Sequence, residues 1–147
     1  MNWPDFDEAG NLPVGVYQAP LAEALEHFGM ATAQRQIIAQ RLSRIYAIAH
    51  STRAVAHFIV FGSFVTAKVV PNDVDIFMLM DDGFDASQLR GEAGIVFDHE
   101  AAQNYFGASV FWIRQMAALG GEQAAMEDWQ HTREGGRRGI VEIVKGV

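Results

Sequence analysis

The chain contains no cysteine, which excludes disulfide bridges and thiolate metal ligands and leaves oxygen and imidazole donors for any metal chemistry. It lacks any apolar run near the roughly 18 to 20 residues that a membrane-spanning helix needs, and its longest oily stretches are strand-sized. Basic residues are scarce, 11 against 18 acidic ones, and the formal net charge of -7 argues against broad, non-specific nucleic-acid binding. Internal repeats and low-complexity tracts are missing, so neither a solenoid nor a disordered linker is expected. The N-terminus, MNWPDFDEAG, lacks the basic-then-apolar order of a signal peptide. The expectation is a soluble, cytoplasmic protein.

What is present is ordinary globular material: 147 residues, half of them apolar, enough for one domain (1–147) with a sizeable core. Residues 1–19, with Pro4, Pro13 and Gly15, read as an extended arm. Pro20 opens a helix over LAEALEHF that Gly29 can end. From about Thr32 to His50 the apolar positions Ile38, Leu42, Ile45 and Ala49 fall on one stripe against an Arg- and Gln-rich face, the mark of an amphipathic helix. Strands are expected at Val55–Phe61, Val74–Met80, Ser109–Ile113 and Ile140–Val144, the last half-exposed by its IVEIV alternation. Further helices are expected over His99–Phe106, capped by Asp98, and over Glu122–Gln130, with a short one near Ala86–Leu89. This order predicts an α/β (or α+β) domain, a sheet with helices packed on it.

The informative stretch is FIVFGSFVTAKVVPNDVDIFMLM, residues 58–80. Its second strand is near-continuously apolar, as strands buried on both faces are, yet it carries Asp75 and is preceded by Asp73. Pro71-Asn72-Asp73 is good turn chemistry and accounts for Asp73 on its own. It leaves Asp75 unexplained inside an apolar strand. Residues i and i+2 on a strand share a face, about 6 to 7 Å apart, so the two carboxylates converge. Oxygen-only donors suit Mg²⁺ or Mn²⁺ rather than Zn²⁺. Upstream, Gly62 lets the backbone approach a ligand closely, and Ser63 offers an N–H and a hydroxyl to a phosphate oxygen. Lys68 lies between the two halves and can reach a triphosphate or sit solvated. The Arg133–Arg138 loop, rich in glycine, can clamp a phosphate or stand as an exposed connection. The five histidines show no metal-ligand spacing, and Trp112 and Trp129 read as core or interface residues.

Gly62-Ser63, nine residues, then Asp73-Val74-Asp75-Ile76 resembles the signature of the polymerase-β-type nucleotidyltransferase superfamily, and in particular its small bacterial and phage-borne members, some linked to toxin–antitoxin systems. LPVGVYQA near the N-terminus and the Trp129–Gly135 run followed by RRGIVEI extend the likeness over most of the chain. The resemblance implies a mixed β-sheet, a divalent metal (Mg²⁺ or Mn²⁺) on Asp73 and Asp75, and a nucleoside triphosphate gripped by Gly62 and Ser63. It also implies transfer of a nucleoside monophosphate to a protein or RNA acceptor, a cognate toxin in the toxin–antitoxin-linked members. The superfamily usually has a third carboxylate on the next strand; here Ser109 stands at that position, with Asp98 and Glu100 the nearest acids in sequence. Two readings therefore remain open: an active transferase, or a catalytically degenerate relative that binds a nucleotide or a partner as a regulatory module.

Overall fold

A computed structural model describes residues 1–146. Five strands form one mixed sheet in the order β1-β5-β2-β3-β4: β1 (Val16–Pro20), β2 (Val55–Phe61), β3 (Val74–Met80), β4 (Ala108–Arg114) and β5 (Ile140–Val144). β1 and β5 are parallel, as are β3 and β4, whereas β2 runs antiparallel to both β3 and β5. Helices pack on this sheet, so the protein has the mixed α/β architecture expected from its sequence.

The helices are α1 (Leu21–Phe28), α2 (Ala33–Ser51), α3 (Glu92–Val96), α4 (His99–Phe106) and α5 (Glu122–Glu127), the last running into a 3₁₀ turn, Asp128–Gln130. Helices α1 to α4 cover one face. There Phe28, Ile38, Leu42 and Ile45 meet Phe58, Val60, Ile76, Met78 and Met80 in the larger core. The other face carries Ile59, Phe77, Leu79 and Ile140 and is covered by α5 and its 3₁₀ turn, through Met126 and Trp129, with Ala118 beside them. Residues of β3 alternate between the two cores, which is why its sequence is oily without a break.

Two expectations need correction. The arm expected over residues 1–19 includes β1, which pairs along β5 from Val16 opposite Ile140 to Pro20 opposite Val144. Its terminal proline lies at the end of an edge strand, where a missing N–H costs nothing. Gly139 makes this approach possible: a Cβ there would lie 2.4 Å from the Pro13 carbonyl oxygen and 2.7 Å from Leu12 Cβ. Strand β5, expected to be half-exposed, is buried over Ile140–Ile143, because β1 closes one edge and β2 the other. Its one charged residue, Glu142, is satisfied in place: Gln18 Nε2 donates to Oε1 at 2.9 Å, and His57 Nδ1 lies 2.5 Å from Oε2. Helix α3 falls in a segment whose sequence showed no periodicity.

Helix α2 begins at Thr32, whose hydroxyl accepts from the Arg35 N–H at 3.1 Å, a regular N-cap. The buried stripe of α2 starts one turn before Ile38, at Arg35 itself, only 5% exposed. Its guanidinium donates to four backbone carbonyls: Phe28 at 2.9 Å, Phe64 at 2.7 Å, and Thr66 and Lys68 at 2.6 Å each. Three of these belong to the loop joining β2 to β3. A charged side chain on the buried stripe of α2 therefore shapes the loop carrying Ser63 and Lys68.

Candidate active site

Strand β2 ends at Phe61, which pairs with Asp75, and Asp75 in turn pairs with Ser109. This register sets Asp75 and Ser109 side by side on the less covered face of the sheet, the face of Phe77 and Leu79. Asp73 lies just before β3, and its Oδ2 accepts from the Ser109 hydroxyl at 3.2 Å. The two aspartates and the serine thus form one polar group at the end of the sheet where β2 stops and β3 and β4 begin.

Gly62 completes the corner. Its φ of +79° belongs to the region that favours glycine, and a Cβ built there would lie 1.9 Å from Asp75 Oδ2. No other residue type lets the backbone pass so close to this carboxylate. Ser63 opens a three-residue 3₁₀ turn, and its carbonyl accepts from both the Thr66 N–H and the Thr66 hydroxyl, leaving its own side chain uncommitted among the described residues. Lys68 sits on the exposed side of the same loop, held by its backbone. No hydrogen bond or ion pair joins it to Asp73 or Asp75 among the described residues.

Burial raises the Asp75 carboxyl to about 6, with the negative charge of Asp73 adding to the effect. The Ser109 hydroxyl and the positive fields of Arg133 and Arg138 act in the opposite direction. Arg133 lies within a small hairpin closed by a bridge between His131 and Arg137, and Arg138 follows it directly. Arg138 is also tied back, its guanidinium 3.4 Å from Asn11 Oδ1 and its N–H donating to the Gln130 carbonyl at 2.8 Å. The sequence left this loop open between a clamp and an exposed connection. It is a hairpin, and two of its arginines act on the carboxylate group.

The nearest acids in sequence do not fill the third position. Asp98 is occupied as the N-cap of α4, accepting from Ala101 N–H at 3.0 Å, and Glu100 is exposed in the first turn of that helix. Two carboxylates and a hydroxyl, all oxygen, fit one hard cation that completes its shell with water and substrate phosphates. They do not make a three-carboxylate cradle, and among the described residues no three His, Asp or Glu gather as a metal-ligand set.

One residue near the site, His99, escaped the sequence reading, and Trp129, read as a core or interface residue, packs on the second core beside it. His99, to which no role was given, donates from Nδ1 to the Val110 carbonyl at 3.1 Å, since a carbonyl can only accept, and its ring packs at a tilt against Phe111. Trp129 stands over Phe61, Phe77 and Phe111, with centroid distances of 4.5, 4.9 and 5.1 Å. Only strand parity, which puts Phe111 on the face of Ser109, signalled this aromatic group in advance.

A model of a family of unknown function, DUF6932, matches residues 4–144. No curated protein and no solved structure matches the chain. Among the described residues no helix is long and apolar enough to cross a membrane.

Proposed function

The chain belongs to the family of unknown function DUF6932, and from the geometry of its site we propose that it is a nucleotidyltransferase of the polymerase-β type. In this reading it takes a nucleoside triphosphate with Mg²⁺ or Mn²⁺ and moves the nucleoside monophosphate to a protein or RNA acceptor. The observation that carries the reading is the convergence of both halves of the motif: Gly62 lies against the Asp75 carboxylate, with Asp73 and Ser109 beside it. Asp73 and Asp75 hold the metal. Ser63 and the positive Arg133–Arg138 hairpin meet the phosphates, and Lys68 reaches their solvent side. The metal, when bound, neutralises phosphate charge and holds the reacting groups in line.

The transfer balances without a redox partner. An acceptor hydroxyl oxygen bonds to the α-phosphorus, the bond from that phosphorus to the bridging oxygen breaks, and pyrophosphate leaves. The hydroxyl proton passes to solvent, because Ser109 holds no charge with which to take it. A second reading rests on that same residue. With its hydroxyl committed to Asp73, the site suits holding a metal-bound nucleotide without turning it over, as a regulatory module acting on a partner such as a cognate toxin.

The test is incubation with each α-labelled nucleoside triphosphate and Mg²⁺, alone and with RNA or candidate protein partners. Label is expected on an acceptor with the wild type and on none with the Asp73→Ala, Asp75→Ala double variant. Equal labelling by both proteins contradicts the proposal. No labelling by the wild type, together with gained activity in Ser109→Asp, selects the second reading.

A further inference from the structure

Beside the phosphate-and-metal group lies an aromatic surface that the transfer chemistry leaves unused. Phe111 sits mid-strand in β4, two residues beyond Ser109 and on the same face, yet it is 37% exposed. Large apolar side chains at such positions are normally covered. Phe111 has two ring neighbours instead, tilted against it: His99 at 4.6 Å and Trp129 at 5.1 Å. Phe61, the register partner of Asp75, is 6.3 Å from Phe111 and 4.5 Å from Trp129. A continuous row of rings thus runs from exposed His99 to the residue paired with the metal-binding aspartate.

We infer that Phe111, with His99 and Trp129 beside it, is the platform on which the base of the bound nucleotide stacks. The inference rests on the phosphate-and-metal reading of Asp73 and Asp75 and adds to it where the rest of the substrate goes. Three features favour a planar heteroaromatic occupant over a second protein surface. The platform is contiguous with a site suited to phosphates and is built of rings, whose faces take a flat base of any sequence. Its rim also carries a directional acceptor: Nδ1 of His99 is spent on Val110, which leaves Nε2 of the neutral ring to accept from an N–H of the base. Trp129 in the row supplies a reporter, because a stacked base quenches indole fluorescence.

The full chain is titrated with Mg²⁺–ATP and separately with Mg²⁺–tripolyphosphate, by calorimetry and by tryptophan fluorescence. The wild type is expected to bind ATP about tenfold more tightly than tripolyphosphate. Phe111→Ala, and Phe111→Leu as the variant that keeps apolar bulk and fold, should erase that advantage while retaining the circular-dichroism melt. Equal affinity for the two ligands in the wild type overturns the stacking inference and leaves the phosphate-and-metal reading standing. An ATP advantage that survives in Phe111→Leu also overturns it. Binding of neither ligand overturns both.

Discussion

At the residue scale the site turns on Asp75. Its carboxyl is held near 6 because burial and the neighbouring Asp73 both disfavour its charge. The unfolded chain releases this proton near 4, so between about pH 4 and 6 the folded state binds more protons than the unfolded one. Stability from this group is therefore highest in acid and falls as the pH rises through that window. Asp75→Asn, which keeps the shape and removes the charge, should stabilise the metal-free protein by about 2 kcal/mol at pH 7.5. That is less than the full linkage value, because the carboxyl keeps some contact with water. At pH 4 the gain should vanish. Urea unfolding of both proteins at the two pH values, in chelator, measures it, and a gain of the same size at both would show that the charge is not the cause. Such a cost, carried by a residue that packing alone would replace with valine or isoleucine, is what the proposed cation site requires of Asp75.

At the scale of elements, the loop from Gly62 to Asn72 is held from behind by a side chain on a helix. Arg35 donates to three of its carbonyls and faces no carboxylate among the described hydrogen bonds. Removing it leaves those buried acceptors without donors, and Arg35→Ala should cost at least about 3 kcal/mol. Arg35→Lys should restore little, since one ammonium cannot span four carbonyls as a planar fork does. The element-level reading of this change is limited trypsin digestion, in which cleavage after exposed Lys68 should appear early in both variants and late in the wild type. Cleavage at Lys68 that is equally slow in all three would show that the loop holds itself.

The sequence could not display this device. By spacing Arg35 continues the stripe of Ile38, Leu42, Ile45 and Ala49, but its charge argues for exposure, and only the three-dimensional course of the loop makes its burial favourable. Strands β2, β3 and β5 were legible to the residue, because runs such as VAHFIVF and VDIFMLM end at turn-forming residues. Strand β1 was not legible. VYQAP is short, contains proline and is defined by its partner β5, whose place beside it comes from a pairing no local pattern encodes.

At the scale of the whole molecule, the mixed order β1-β5-β2-β3-β4 explains the position of the site. The helices of the larger core occupy one face, and among the described residues the other is covered more thinly, by α5, its 3₁₀ turn and Ala118. The polar group of Asp73, Asp75 and Ser109 consequently opens beside an aromatic row and in the positive field of Arg133 and Arg138, on an otherwise acidic chain of net charge -7. The carboxylate pair and Gly62-Ser63 were readable from spacing alone. The register that brings Ser109 to Asp75, the positive field of Arg133 and Arg138 at Asp75 and the bond from His99 to Val110 depend on strands and loops apart in sequence.

The central claim is that Asp73 and Asp75 hold a metal-bound triphosphate, and paramagnetic resonance of Mn²⁺ reads this directly. Titrating the protein into Mn²⁺ with ATP, the account predicts that the signal of unbound Mn²⁺–ATP falls to saturation with the wild type. It predicts that the signal is unchanged with the Asp73→Asn, Asp75→Asn variant, whose fold is retained. A loss of signal that is the same for both proteins, or absent from both, would contradict the account.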